Sequence, residues 1–204
     1  MPLQSDVPTL ILASASAARR AVLDGAGLRF EALSAAVDEA ALKESARAEG
    51  LTAGEAATLL AEAKARRIAS RRPEALILGC DQILVLGETW FDKPVGMEGA
   101  RAHLTALRGR THTLATAVVA WRGGQRIWGH VAEPRLTMRD VTDAFLDAYL
   151  AVEGEAVLSS VGAYRLEGPG VQLFSRVEGE HAAILGLPLL PLLEFLRGHG
   201  VLLR

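Results

Sequence analysis

Leu10-Ile11-Leu12-Ala13-Ser14-Ala15-Ser16-Ala17-Ala18-Arg19-Arg20 is the stretch on which the reading of the fold turns. Four apolar residues running into small hydroxyl residues read as a buried strand that ends in a tight polar turn. Residues 17–26 then read as a helix, so the unit is strand, turn, helix. That order has a chemical consequence. Backbone N–H groups at a helix start face outward toward an anion, the helix dipole favours negative charge there, and Arg forks onto oxyanions. The turn suits phosphate, although strand–helix connections with surface arginines are also common in α/β folds.

Strand and helix signals alternate outward from that turn. Residues 30–33 read as a short strand. Thr52-Ala53-Gly54-Glu55 fits a capping box, in which a hydroxyl and a carboxylate each satisfy an orphaned N–H, and opens a helix to about residue 71. Pro73 marks its stop. Residues 75–80 form a continuous apolar strand followed by 82–86, Gly87-Glu88 is a turn, and 97–107 is a helix. Segments 113–121 and 127–137 flank Gly123-Gly124 and read as a long hairpin. Residues 140–151 read as helix, 171–177 as strand, and 189–197 as a closing helix after Pro188. The expectation is an α/β fold with a mixed sheet: a single domain over 1–204, with a candidate second lobe at 113–151 and a cleft beside it.

Composition sets the outer limits. The chain has 204 residues, half of them hydrophobic and 23% charged, enough for a sizeable core. A net charge of −2 gives no support to broad electrostatic binding of nucleic acid. A small anionic substrate needs only a local positive site. The single cysteine, Cys80, excludes an internal disulfide and fits a reducing compartment. No apolar run approaches the roughly 20 residues of a membrane span. Met1 to Asp6 lack the features of a signal peptide, so a soluble cytoplasmic protein is the expectation.

Several clusters carry possible chemistry. Gly79-Cys80-Asp81-Gln82 closes an apolar run, where a carboxylate is costly without a partner and commonly binds a metal, acts as a base, caps a helix or pairs with a cation. Cys80 beside it reads as a small buried filler. Asp92-Lys93-Pro94 fixes a lysine before a helix, where it would reach a phosphate or stand solvated. Val37-Asp38-Glu39 puts adjacent acids on a strand or loop, facing different sides. Arg108-Gly109-Arg110-Thr111-His112 is an anion site or a solvated hairpin entry. In Glu167-Gly168-Pro169-Gly170 two glycines let the backbone come close to a ligand, and Glu167 would accept from the N–H donors of a base; the plainer reading is a tight turn with a surface acid. There is no G-x-x-x-x-G-K-[ST], G-x-G-x-x-G or H-E-x-x-H, which removes P-loop, dinucleotide-binding and zincin chemistry.

The order of clusters is more specific than any one of them. Leu12-Ala13-Ser14-Ala15-Ser16 with Arg19, Asp38-Glu39, Ala61-Glu62-Ala63-Lys64-Ala65, Gly79-Cys80-Asp81-Gln82, Lys93-Pro94, Gly109-Arg110-Thr111-His112, Glu178-Gly179 and Gly186-Leu187-Pro188-Leu189 together resemble the Maf family over about residues 9–197. The resemblance implies an elongated α/β fold similar to inosine-triphosphate pyrophosphatases, with two lobes around a cleft. It implies hydrolysis of a modified or non-standard nucleoside triphosphate to monophosphate and pyrophosphate, with 7-methyl-GTP one candidate, and a divalent cation, Mg²⁺ or Mn²⁺. Carried over by position, Asp81 is the proton acceptor and Glu39 and Asp81 form the metal region. Ser14, Arg19, Lys64 and Lys93 hold the phosphates, and Ala18, Gln82 and Glu167 are the substrate-choice positions. Gln82 and Glu167 match the 7-methyl-GTP branch, and Ala18 matches neither that branch nor the dTTP/UTP branch. The alternatives are a dTTP/UTP pyrophosphatase, a phosphatase releasing orthophosphate, and a non-catalytic nucleotide-binding regulator of division or septum formation. Monomer and homodimer both stay open.

Overall fold

A computed structural model describes residues 3–204. It is a mixed α/β fold, as expected, with eight strands in one sheet. Along the sheet the order is β2 (Glu31–Ala32), β1 (Leu10–Leu12), β3 (Leu76–Leu86), β5 (Thr111–Arg122), β7 (Arg135–Met138) and β8 (Phe174–Glu178), with β4 (Thr89–Phe91) on β3 and β6 (Gln125–Ala132) on β5. The chain forms two compact units, and passes between them within β3, within β5, after β6 and after β8.

The first unit comprises residues up to Asp81, Thr116–Ala132 and His181–Arg204. Here β1 runs parallel to β2 and to β3, with Leu10 opposite Leu76 and Leu12 opposite Leu78. Side chains alternate across a strand. Leu10, Leu12, Leu76, Leu78 and Cys80 join one core with residues of α1 (Ala17–Gly25) and α7 (Leu189–Gly198). Each leucine buried there contributes about 1.5–3 kcal/mol. The opposite face takes α3 (Ala53–Ala69), whose capping box at Thr52 and Glu55 is present as read. Gly79 lies on that face. A Cβ there would fall 2.0 Å from the Ala61 carbonyl oxygen and 3.0 Å from the Ala65 Cβ. The alanines of α3 and the glycine of β3 therefore let helix and strand approach more closely than larger side chains would permit.

The second unit comprises Gln82–Ala115 and Glu133–Glu180. It holds the end of β3 turning at Gly87 into β4, then α4 (Gly96–Leu107), the start of β5, β7, β8 and α5 (Asp143–Glu153). Leu104, Leu107 and Leu146 are fully buried in it.

Three readings need correction. Val37-Asp38-Glu39 is a loop only up to Asp38, which caps α2 (Glu39–Ala48) by accepting from the Ala41 N–H at 3.0 Å, and Glu39 is the first residue of that helix. The second arm of the hairpin is broken at Glu133-Pro134 into β6 and β7, though both pair antiparallel with β5 in the same register, Thr116 opposite Ala132 and Thr113 opposite Arg135. Pro134 has no N–H to give to a ladder. Segment 171–177 is strand only from Phe174, because Pro169–Leu173 winds as a 3₁₀ turn after Pro169 fixes its first φ.

Candidate active site

The phosphate-suited turn is built as a brace around one arginine. Ser16 is the N-cap of α1, its hydroxyl accepting from the Arg19 N–H at 3.3 Å. Ser14, two residues beyond β1 and 6% exposed, accepts from the Ser16 N–H and from Arg19 Nη1 at 3.2 and 3.3 Å. Arg19 Nε donates to the Gly186 carbonyl at 2.9 Å. Gly186 has φ +99°, and a Cβ on it would lie 3.0 Å from Arg19 Nε. Arg19 is thus held from two sides, whereas Arg20 points to solvent. Ala18 sits half-buried in the same first turn and offers only a methyl.

A second group forms where β3 meets α3. Asp81 shares the parity of Gly79, so it faces α3 rather than the leucine core. There Lys64 Nζ donates to Asp81 Oδ1 at 2.5 Å and lies 2.8 Å from Glu39 Oε1 at the start of α2. Lys64 and Asp81 are buried and Glu39 is half-exposed. One buried ammonium therefore joins two carboxylates. A buried charge is tolerated only with such partners. Lys43, one turn along α2 from Glu39, is a second buried lysine that the sequence reading passed over.

Cys80 lies between these groups on β3. Burial pushes its thiol up to about 11, against the pull of the Arg19 and Lys64 charges. It is fully buried, a filler and not a nucleophile.

The remaining candidates belong to the second unit. Gln82 follows Asp81 on β3, is half-buried, and points to the opposite strand face. Lys93 is exposed in the short link between β4 and α4. Glu167 is exposed and takes a hydrogen bond from Arg165 Nε at 3.3 Å. Gly168 and Gly170 do allow a close backbone approach, but to the protein itself. A Cβ at Gly168 would lie 2.9 Å from Glu153 Oε1, and one at Gly170 2.4 Å from the Arg165 carbonyl. His112 is fully buried with its Nε2 on the Tyr164 hydroxyl at 2.8 Å, and is a structural residue rather than an anion donor.

Among the described residues no group of three or more His, Cys, Asp or Glu converges as metal ligands. The oxygen donors near Lys64 are the two carboxylates of Glu39 and Asp81. A hard divalent cation such as Mg²⁺ takes one or two carboxylates and completes its shell with substrate phosphates and water, and here both carboxylates are held on the Lys64 ammonium. Among the described residues, too, no helix is long and apolar enough to cross a membrane.

The sequence is similar to known proteins over nearly its whole length. The family model described as Maf-like protein matches residues 9–199. A nucleoside triphosphate pyrophosphatase of Granulibacter bethesdensis is 56% identical over 193 residues, 95% of this chain and 98% of that protein. One of Rhodospirillum rubrum is 52% identical over 97% of this chain and 98% of its own. A 7-methyl-GTP pyrophosphatase of Mesorhizobium japonicum is 50% identical over 95% and 97% respectively.

Proposed function

The chain belongs to the Maf-like proteins, and on that premise we propose that it is a metal-dependent nucleoside triphosphate pyrophosphatase. The observation that carries the reading is the Asp81–Lys64–Glu39 cluster beside the Ser14–Arg19 brace. A binding protein needs the brace alone. A pair of carboxylates on a buried lysine adds what hydrolysis requires: a proton acceptor, a cation and donors for a metal.

In the proposed reaction the oxygen of a water bonds to the α-phosphorus and the bond from that phosphorus to the bridging oxygen breaks. The products are the nucleoside monophosphate and pyrophosphate. Asp81 accepts the proton the water loses. Lys64 holds Asp81 in place through Oδ1 and offsets negative charge as the pyrophosphate departs. Arg19, fixed by Gly186 and Ser14, grips phosphate oxygens together with the N–H groups at the start of α1. Glu39 and Asp81 would hold Mg²⁺ or Mn²⁺, which when bound supplies further charge neutralisation at the phosphates. By the family motif Lys93 is a further phosphate cation, and Gln82 and Glu167 read the base.

A carboxylate at Glu167 accepts from adjacent N–H donors, so a guanine-type base is the proposed preference, with 7-methyl-GTP included. Ala18 has no ring to stack on a methylated, cationic base. The experiment is a product assay with Mg²⁺ or Mn²⁺ over 7-methyl-GTP, GTP, dTTP, UTP and CTP. Equal amounts of monophosphate and pyrophosphate are expected. Orthophosphate as the first product, or binding without turnover across the panel, overturns the reading.

A further inference from the structure

Arg165 and Glu153 stand outside every motif that points to the reaction, yet Glu153 is the most deeply buried carboxylate in an ion pair of the second unit. Its side chain is 3% exposed and Oε2 sits 3.1 Å from Arg165 Nη1. The same guanidinium uses Nε to hold Glu167 Oε1 at 3.3 Å. One arginine thus links a buried carboxylate at the end of α5 to the exposed carboxylate of Glu167.

The backbone around the link is fixed with unusual closeness. Gly168 leaves no room for a Cβ above Glu153 Oε1, and Gly170 none above the Arg165 backbone. Behind Arg165, Tyr164 is fully buried on His112, and Gly162 and Ala163 take positive φ of +80° and +61°. A non-glycine residue in that region is held there at a cost by its surroundings. Arg165 therefore has one end anchored in the core and one end on Glu167. The Arg165 contact takes Glu167 Oε1, and the Glu167 side chain is exposed, so the anchored carboxylate stands where a ligand can reach it.

We propose that Arg165, anchored by Glu153, is a positioning residue for substrate choice: it fixes the Glu167 carboxylate so that Oε2 meets the N–H donors of the base. This rests on the reading that Glu167 faces the base. A glutamate carries several rotatable bonds, and ordering a free side chain on binding costs about 0.5–1.5 kcal/mol. Arg165 removes that cost before substrate arrives. It also partly neutralises Glu167, which favours neutral donors over a permanently cationic base.

The test compares Glu167→Gln, Arg165→Met, Arg165→Lys and the Glu167→Gln/Arg165→Met double variant, each checked for folding by circular dichroism and Tm. Steady-state constants are measured with GTP, 7-methyl-GTP and UTP. Arg165→Met is expected to lower the GTP-to-UTP ratio of kcat/KM about two- to tenfold, through KM with kcat little changed. Arg165→Lys, which leaves Glu153 paired and so guards against misfolding, is expected to recover part of the ratio. The double variant should match Glu167→Gln alone, because Arg165 acts only through Glu167. Equal losses on all three substrates, or additive losses in the double variant, mean a structural role and overturn the inference. If Glu167→Gln itself leaves the ratio unchanged, the base-reading role of Glu167 falls first. If Glu167→Gln changes it and folded Arg165→Met does not, the inference alone falls.

Discussion

Lys64 Nζ lies 2.5 Å from Asp81 Oδ1 with both side chains under a tenth exposed, and the same ammonium reaches Glu39. The pairing follows from two periodicities. Asp81 is two residues beyond Gly79 and so faces α3, and Gly79 is what lets α3 come near enough for a lysine to reach across.

Asp81→Asn is expected to lower kcat by at least about 100-fold, because the amide cannot take the proton of the attacking water. It keeps the shape of the side chain, and Lys64 retains Glu39, so the thermal midpoint should move little. Turnover near the wild-type rate in a folded Asp81→Asn protein removes Asp81 from the role of base.

Gly79→Ala tests the approach of helix and strand. The added methyl would lie 2.0 Å from a backbone oxygen of α3, and no side-chain rotation relieves it. The expected loss is about 1–3 kcal/mol or more, with a displaced α3. Activity should fall with stability, since Lys64 travels with the helix. A Tm within about a degree of wild type would show that the strand and helix have room to spare.

Gly186→Ala separates grip from chemistry. The residue has φ +99° and carries the carbonyl that Arg19 Nε bonds, so a side chain strains the turn and crowds the guanidinium. KM for the triphosphate should rise about tenfold, the worth of one charge-assisted hydrogen bond, with kcat changed less. An unaltered KM would mean that Arg19 does not need this brace.

Much of this was legible in the residues themselves, for identifiable reasons. Thr52 and Glu55 announce the start of α3 because a capping box is a local device, complete within four residues. The run 75–80 is continuous and apolar because it is covered on both faces. Asp38 is ambiguous in the sequence because a lone aspartate caps helices and populates loops equally well, and the helix after it, α2, buries only Lys43 and Ala46. Pro134 marks the break in the hairpin arm, since a proline inside a strand pattern removes a ladder donor. Glu153 gave no signal at all. A glutamate at a helix end is normally solvated, and only the distant return of Arg165 and Gly168 buries it.

The last prediction concerns pH. His112 is buried, bonds Tyr164 through Nε2, and its Nδ1 has no partner among the described residues. Burial pushes its pKa down to about 4 from the usual 6.5. The unfolded chain therefore binds this proton at a higher pH than the folded one. Where the unfolded state holds more protons, stability rises with pH. So His112 costs nothing above about 6.5, and stability drains away as the pH falls from there toward 4, by about 3 kcal/mol in full. His112→Gln keeps an atom for the Tyr164 hydroxyl but cannot charge. Urea midpoints taken at neutral pH and at about pH 4.5 should fall less steeply for the variant than for the wild type. Equal falls in the two proteins would assign the acid sensitivity to other groups and leave His112 as packing alone.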